Sequence, residues 1–395
     1  MAAGIYIHIP FCVQKCLYCD FVSGCGTKDE MKRYQKALLN EIESTVIRET
    51  VDSVFFGGGT PSVYPMEYIG EILQLIKRKN VLNNRIRNTA TSELFYGIRE
   101  KDIEITMEVN PGTINREKLN YYREIGINRL SIGLQSANDE ELKILGRIHD
   151  YQQFLESYQN ARETGFTNIN IDLMSAIPKQ SIDSYQNTLV KVLALRPEHI
   201  SAYSLIVEEG TPFYEKYCEG GRNECDLPDE DSEREMYYLT KREMEKHGYH
   251  RYEISNYAKA GYECKHNMKY WSRDNYYGFG AAASSLVDNI RYTNVRNSRD
   301  YVKANGDISV IREEISKPDR NEQMEEYMFL GLRKMSGISA TEFEKKFDIQ
   351  MEHVYGEVIK KLKKNGLLIQ EESQLFLTER GIDVSNMVLA EFLLG

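Results

Sequence analysis

Three cysteines stand within eight positions near the start of the chain, in the stretch "IHIPFCVQKCLYCDF": Cys12, Cys16 and Cys19. The 395-residue sequence holds only seven cysteines in all. An odd number of thiols, three of them clustered, does not suggest a disulfide framework, and in a reducing compartment such clusters commonly hold metal. A structural zinc site closes a tetrahedron with four ligands, usually as two C-x2-C pairs, and the C-x3-C-x2-C spacing lacks the second pair. The nearest further thiol, Cys25, lies between two glycines that leave its direction open. A cubane 4Fe-4S cluster takes one thiolate per iron, so three cysteines from one loop would leave one iron open to another ligand.

Such a loop needs a scaffold, and the first half of the chain supplies one. The runs "GIYIHIP", "DSVFFGGG", "DIEITMEVN", "NRLSIGLQS", "NINIDLMSAIP" and "HISAYSLI" are rich in β-branched and aromatic residues and end in polar or glycine-rich turns, as strands do. Helical periodicity fills the intervals, in "MKRYQKALLNEIESTVIRE", "MEYIGEILQLIKRK", "NREKLNYYREIG", "DEELKILGRIHDYQQFLESYQNARETG" and "SIDSYQNTLVKVLALRP". Strands alternating with helices imply a parallel sheet with right-handed crossovers, and an α/β fold of the partial (β/α)6 barrel kind is predicted. In that register the three cysteines, Gly57 to Gly59 with Thr60, Glu108, Gln135, Asp172 and Tyr203 all fall at or just past strand C-termini. Loops converge at that end of a parallel barrel, so these residues are expected to share one site. Taken singly, "GGGTP" also reads as a tight turn and Glu108 before "NPG" as a helix cap.

Composition sets the class. The chain is 41% hydrophobic and 28% charged, enough for one large domain and one or two small ones. It has no apolar run near the length of a membrane span and no basic, apolar leader, so a soluble cytoplasmic protein without an integral membrane segment is predicted. A net charge of -10 argues against a surface built to track nucleic acid.

With these residues in hand, the cluster loop resembles that of the radical S-adenosylmethionine (SAM) superfamily. The resemblance implies that Cys12, Cys16 and Cys19 hold three irons of a 4Fe-4S cluster while SAM chelates the fourth. More of the chain resembles the HemN/HemW group, which contains oxygen-independent coproporphyrinogen III oxidases and related heme chaperones. The matching stretches include "YIHIPFCVQKCLYCDF", "FFGGGTPS", "EVNPG", "RLSIGLQS", "LGRIH", "IDLMSAIPKQ", "SAYSLIVEEGTPF" and "YEISNYAKAGYECKHNMKYW". Carried over by motif, the SAM and cluster site would comprise Tyr6, Tyr18, Gly59, Thr60, Glu108, Gln135, Arg147 and Asp172. Arg147 would pair with the SAM carboxylate, and Glu108 and Asp172 would accept from ribose or amine donors.

Within that group two features point to the chaperones. The oxidase pattern adds a cysteine two residues after the third, where this sequence has Phe21, and the oxidases carry a longer segment before the cluster than the eleven residues here. Conversely, "HNMKYW", residues 266–271, fits the H-N-x-x-Y-W signature of the heme chaperones. His266 is thus a candidate axial ligand to heme iron, with Tyr270 and Trp271 offering flat apolar faces. His8, His149 and Cys264 are further candidates; a bland reading makes the motif a hydrogen-bonded turn with aromatics plugging the barrel edge. Some chaperone-like sequences carry a histidine where "YYGFGAAASSL" here offers Ser284 and Ser285.

The resemblance implies transfer of heme to an acceptor protein, for example a respiratory enzyme, and a homodimer is compatible with it. Three units are expected: a radical SAM partial barrel over 1–210, an extension bearing the HNMKYW motif over 211–319, and a winged-helix-like domain over 320–395. The last is net acidic despite "KKLKKNG", so it reads as a packing or partner-binding module and not a nucleic-acid reader. A radical SAM enzyme acting on a porphyrinogen or another substrate, and a winged-helix regulator sensing redox through its cluster, are the alternatives. No catalytic residue is assigned, and Cys25, Cys218 and Cys225 have no expected role.

Overall fold

The structure, a computed structural model, describes residues 2–88 and 103–394. Six strands form a parallel run: β1 (Ala3–Ile9), β2 (Val51–Gly58), β3 (Glu104–Val109), β4 (Arg129–Gln135), β5 (Ile169–Ser175) and β6 (His199–Ser204), paired in that order. Residue 102, where the third predicted strand begins, lies outside the described residues. The crossovers are α1 (Lys28–Ser44), α2 (Met66–Asn88), α3 (Arg116–Ile125), α4 (Asp139–Ile144) with α5 (Tyr151–Glu163), and α6 (Ile182–Ala194). Ala3, Ile5, Ile7 and Ile9 of β1 are fully buried, as are Ile169, Ile171 and Leu173 of β5. Each such isoleucine or leucine side chain gains about 2 kcal/mol by leaving water, which is why the strands read as dense apolar runs. The helices start where their sequences say: Thr27 and Asp150 both close capping boxes, with Glu30 and Gln153.

One reading is corrected. The segment 139–165 looks like a single helical stretch, yet it breaks between α4 and α5. Gly146 at φ +72° forms a C-terminal cap in which its N–H donates to the Lys143 carbonyl at 3.0 Å and the Arg147 N–H to Leu142 at 2.9 Å. The break aims Arg147 inward.

The sheet does not stop at six strands. After α7 (Pro212–Tyr217) and α8 (Glu230–Lys246), β7 (His250–Glu253) and β8 (Asn256–Ala258) extend the β6 edge antiparallel. The chain then crosses through α9 (Lys265–Trp271), which carries the HNMKYW motif, to β9 (Tyr276–Phe279), parallel to β1. Antiparallel β10 (Ser284–Val287), β11 (Ile290–Asn294) and, after α10 (Ser298–Ala304) and α11 (Ile308–Ile311), β12 (Arg312–Ser316) complete a twelve-stranded open sheet. Buried Glu41 of α1 clasps this extension: it accepts from the Gly280 N–H at 2.9 Å, Asn294 Nδ2 at 2.7 Å and the Tyr301 hydroxyl at 2.5 Å.

The C-terminal part has its own apolar cluster, centred on Met328, Phe343, Met351, Leu375 and Phe392. It contains α12 (Arg320–Gly331), β13 (Ile338–Ser339), α13 (Ala340–Phe347), α14 (Met351–Lys364), the hairpin β14 (Leu368–Glu371) and β15 (Gln374–Leu377), α15 (Glu379–Asp383) and α16 (Ser385–Ala390). Helices followed by a two-stranded wing make the expected winged-helix-like order. Among the described residues no helix is long and apolar enough to cross a membrane.

Candidate cluster and cofactor site

The loop after β1 carries the three cysteines over the C-terminal edge of the sheet. Its backbone is tied on several sides: Cys12 N–H to the Gly24 carbonyl at 2.9 Å, Leu17 N–H to Leu145 at 3.1 Å, and Thr60 N–H to Phe11 at 2.8 Å. Gly59 is required by this closeness, since a Cβ there would lie 2.8 Å from the Phe11 carbonyl oxygen and 3.0 Å from Cys12 Sγ. All three thiols are half-buried, and burial pushes the Cys19 thiol up from its ordinary value.

A cavity of about 430 Å³ opens under the loop, lined by Cys12, Cys16, Cys19, Tyr18, Gly59, Thr60, Glu108, Gln135, Arg147 and Asp172, together with Tyr203. Ten of the eleven residues expected at the cluster and SAM site therefore meet at one place. Among the described residues no three His, Cys, Asp or Glu side chains gather as they would around a single metal ion, a geometry that a cubane with one thiolate per iron does not ask for.

A hydrogen-bonded chain links two of the thiols. The Thr60 hydroxyl donates to Cys12 Sγ at 3.6 Å, and Asn110 Nδ2 donates to Thr60 Oγ1 at 2.8 Å. Arg147 Nη2 donates to Asn110 Oδ1 at 2.8 Å and to the Gly133 carbonyl at 2.6 Å, while Nη1 reaches Cys16 Sγ at 3.5 Å. The Gly133 carbonyl is available because the pairing of β4 with β5 shifts register between Gly133 and Gln135, with Gln135 at φ +71°. Arg147 Nε is buried without a partner. Asn110 was not anticipated: it belongs to the quoted "EVNPG", where a residue before proline reads first as part of a turn.

Deeper in the barrel lie the carboxyls. Asp172 accepts from Asn170 Nδ2 at 2.7 Å and from the Ser131 hydroxyl at 3.1 Å, and burial holds it above the usual carboxylate range. Glu108 accepts from the Gly58 N–H at 3.2 Å; burial, with Asp172 beside it, pushes its carboxyl up to about 8.

Three predicted residues lie outside this cavity's lining. Tyr6 lines two adjoining cavities and donates to His8 Nδ1 at 3.2 Å. His266 is fully enclosed, with Nδ1 against the Ser53 hydroxyl at 3.0 Å and Nε2 against the Tyr270 hydroxyl at 2.9 Å. Burial lowers its imidazole to about 3, so it is neutral. Trp271 sits under the Arg333 guanidinium, 4.4 Å from the ring centroid. Of the other candidates, buried His149 is neutral, its imidazole lowered to about 3, and Cys264 lies beside Glu104 at 3.5 Å.

This geometry can be set against known proteins. Residues 6–192 match the radical SAM superfamily and residues 319–384 the HemN C-terminal domain. Across 98% of both chains the sequence is 37% identical to the heme chaperone HemW of Bacillus subtilis (strain 168). The chain belongs to the HemW family. It is also 36% identical to the heme chaperone HemW of Lactococcus lactis, over 98% of this chain and 97% of that one. Coproporphyrinogen III oxidase (HemN) from Escherichia coli, a radical SAM enzyme, superposes with a TM-score of 0.82 over 100% of this chain and 90% of its own. At 22% identity that likeness shows a shared fold.

Membership in a radical SAM family implies a 4Fe-4S cluster and SAM, and the residues present fit both. Three thiols on one loop match a three-coordinate demand, Gly59 leaves room at the sulfur of Cys12, and the buried, unpaired Nε of Arg147 is a donor awaiting an anion.

Proposed function

We propose that this HemW-family chain is a heme-binding chaperone on a radical SAM scaffold that passes heme to an acceptor protein, for example a respiratory enzyme. What carries the reading is the likeness to proteins named heme chaperone HemW over essentially the full length. Cys12, Cys16 and Cys19 are the proposed cluster ligands. When bound, the cluster supplies an electron to the SAM sulfonium. Around it, Tyr18 packs the cavity wall, Thr60 and Arg147 donate to thiolate sulfur, Arg147 Nε takes the SAM carboxylate, and Glu108, Gln135 and Asp172 accept or donate along the ribose and amine. Heme is proposed to lie by the HNMKYW helix. Iron ligation by His266 would require displacing Ser53 or Tyr270 from its ring nitrogens.

The porphyrinogen-oxidising alternative shares the scaffold, but Phe21 stands where the oxidase pattern has its additional cysteine. The regulator alternative is opposed by the acidic C-terminal part. The test uses anaerobically purified protein with reconstituted cluster, given heme in one arm and coproporphyrinogen III with SAM and a reductant in the other. Stoichiometric heme binding without decarboxylated product is expected. Turnover of coproporphyrinogen without stable heme binding would overturn the chaperone reading.

A further inference from the structure

Beside the cluster cavity lies a second one, of about 360 Å³, sharing Phe21, Gly58 and Glu108 with it. That volume falls in the range of small-molecule sites. Four aromatic side chains from different elements line it, Tyr6 of β1, Phe21 of the cluster loop, Tyr270 of α9 and Tyr276 of β9, beside the polar His8 and Ser284. Tyr270 and Tyr276 hold each other edge to face at 4.7 Å between centroids, so these walls are fixed by packing. At the rim, exposed, is Arg296. Other arginines of this part of the chain are engaged, Arg273 and Arg291 by Glu326 and Arg312 by the face of Tyr292. Arg296 has no hydrogen-bond or ion-pair partner among the described residues.

Flat aromatic walls with one unpaired guanidinium at the mouth suit a planar apolar molecule that ends in a carboxylate. Glu108, the carboxyl at the inner end, is held largely protonated and does not repel such a group. Asp20 lies on the cluster-loop side of the rim, exposed to solvent that screens it. We propose that heme is held in this cavity, stacked among Tyr6, Phe21, Tyr270 and Tyr276, with Arg296 pairing one of its carboxylates. The inference rests on the chaperone reading and gives the HNMKYW motif a different physical role from iron ligation. Only its Tyr270 lines this cavity, and His266 acts on Tyr270 as a positioning residue through the 2.9 Å bond to its hydroxyl.

The test is a pair of spectroscopic titrations on the full, cluster-reconstituted chain, one with heme and one with its dimethyl ester, repeated for Arg296→Ala. Wild type is expected to prefer free-acid heme by about fivefold, the scale of a partly exposed charge pair, and Arg296→Ala to lose that preference while binding the ester as wild type does. His266→Ala is expected to weaken both ligands without moving the Soret maximum of the heme that still binds. Excess SAM is expected to leave heme in place, since the two cavities meet only at Phe21, Gly58 and Glu108, and a SAM amine at Glu108 offsets the charge that its ionisation creates. Equal preference in wild type and Arg296→Ala, a shifted Soret band in His266→Ala, or displacement of heme by SAM would each overturn the assignment and leave the chaperone reading standing. A wild-type chain that binds no heme would overturn the chaperone reading itself.

Discussion

Asn110 does two things at once. Its amide nitrogen holds the Thr60 hydroxyl, leaving that hydroxyl's own proton for Cys12 Sγ, and its amide oxygen holds the guanidinium that reaches Cys16 Sγ. Donors to thiolate sulfur raise a cluster's reduction potential, and groups that orient them tune it in turn. Asn110→Ala is therefore expected to keep its iron and sulfide but to show a more negative midpoint potential, followed by electron paramagnetic resonance during a redox titration. Asn110→Asp is expected to shift further, because a carboxylate would draw the Thr60 proton away from sulfur and add negative charge; an unmoved potential in both would count against this role. Glu108 sets a pH dependence. Below about 8 its buried carboxyl keeps a proton that a cationic ligand must expel, so SAM affinity is expected to rise with pH up to that point and level off above it. Calorimetric titrations across this window on wild type and Glu108→Gln isolate the effect, for the Gln variant should lose this part of the slope.

At the scale of elements, the break between α4 and α5 matters more than either helix. Gly146 sits at φ +72°, and a Cβ there would lie 2.7 Å from Leu17 Cγ on the cluster loop. Gly146→Ala thus meets both a backbone conformation that L side chains rarely adopt and a clash with the loop that presents the thiols. A stability loss of about 2 kcal/mol in chemical denaturation is expected, with a larger proportional loss in SAM affinity because Arg147 is the next residue. A variant that loses stability alone would mean that Arg147 is held by its partners and not by the cap. The helical periodicity of 139–165 was legible, but the break was not: the apolar pattern runs through "LGRIHD", and the cap depends on a left-handed glycine meeting Leu17 from a distant loop.

At the scale of the whole molecule, α9 lies between the barrel and the C-terminal part. On one side it packs on β1 and β2, on the other on α12. An ion triplet marks the junction, with Glu326 of α12 taking Arg273 at 2.6 Å and Arg291 at 2.5 Å. Arg273 is only 5% exposed, so removing its partner leaves a cation buried beside an empty site. Glu326→Ala is expected to cost about 3 kcal/mol and to loosen the C-terminal part. The single tryptophan reports it, because Trp271 lies under Arg333 of that part: its emission should shift to the red, and limited proteolysis should cut near residues 317–319. Unchanged emission and an unchanged digest would mean that the apolar contacts between α9 and α12 suffice.

The sequence by itself determined the parallel six-stranded core, the loop of three thiols and the convergence of Thr60, Glu108, Gln135 and Asp172 on one edge. Those features follow from period and chirality: side chains alternate along strands, and right-handed crossovers bring every strand's C-terminus to the same side. Tertiary structure decided what lay between distant segments. The sheet's growth to twelve strands rests on edges left open by neighbours far apart in the chain, and "YYGFGAAASSL" carries no strand pattern strong enough to announce it. The enclosure of His266, whose ring nitrogens meet Ser53 of one strand and Tyr270 of its own helix, has the same origin. A histidine's chemistry is set by which groups fold against it, and local sequence holds only half of that information.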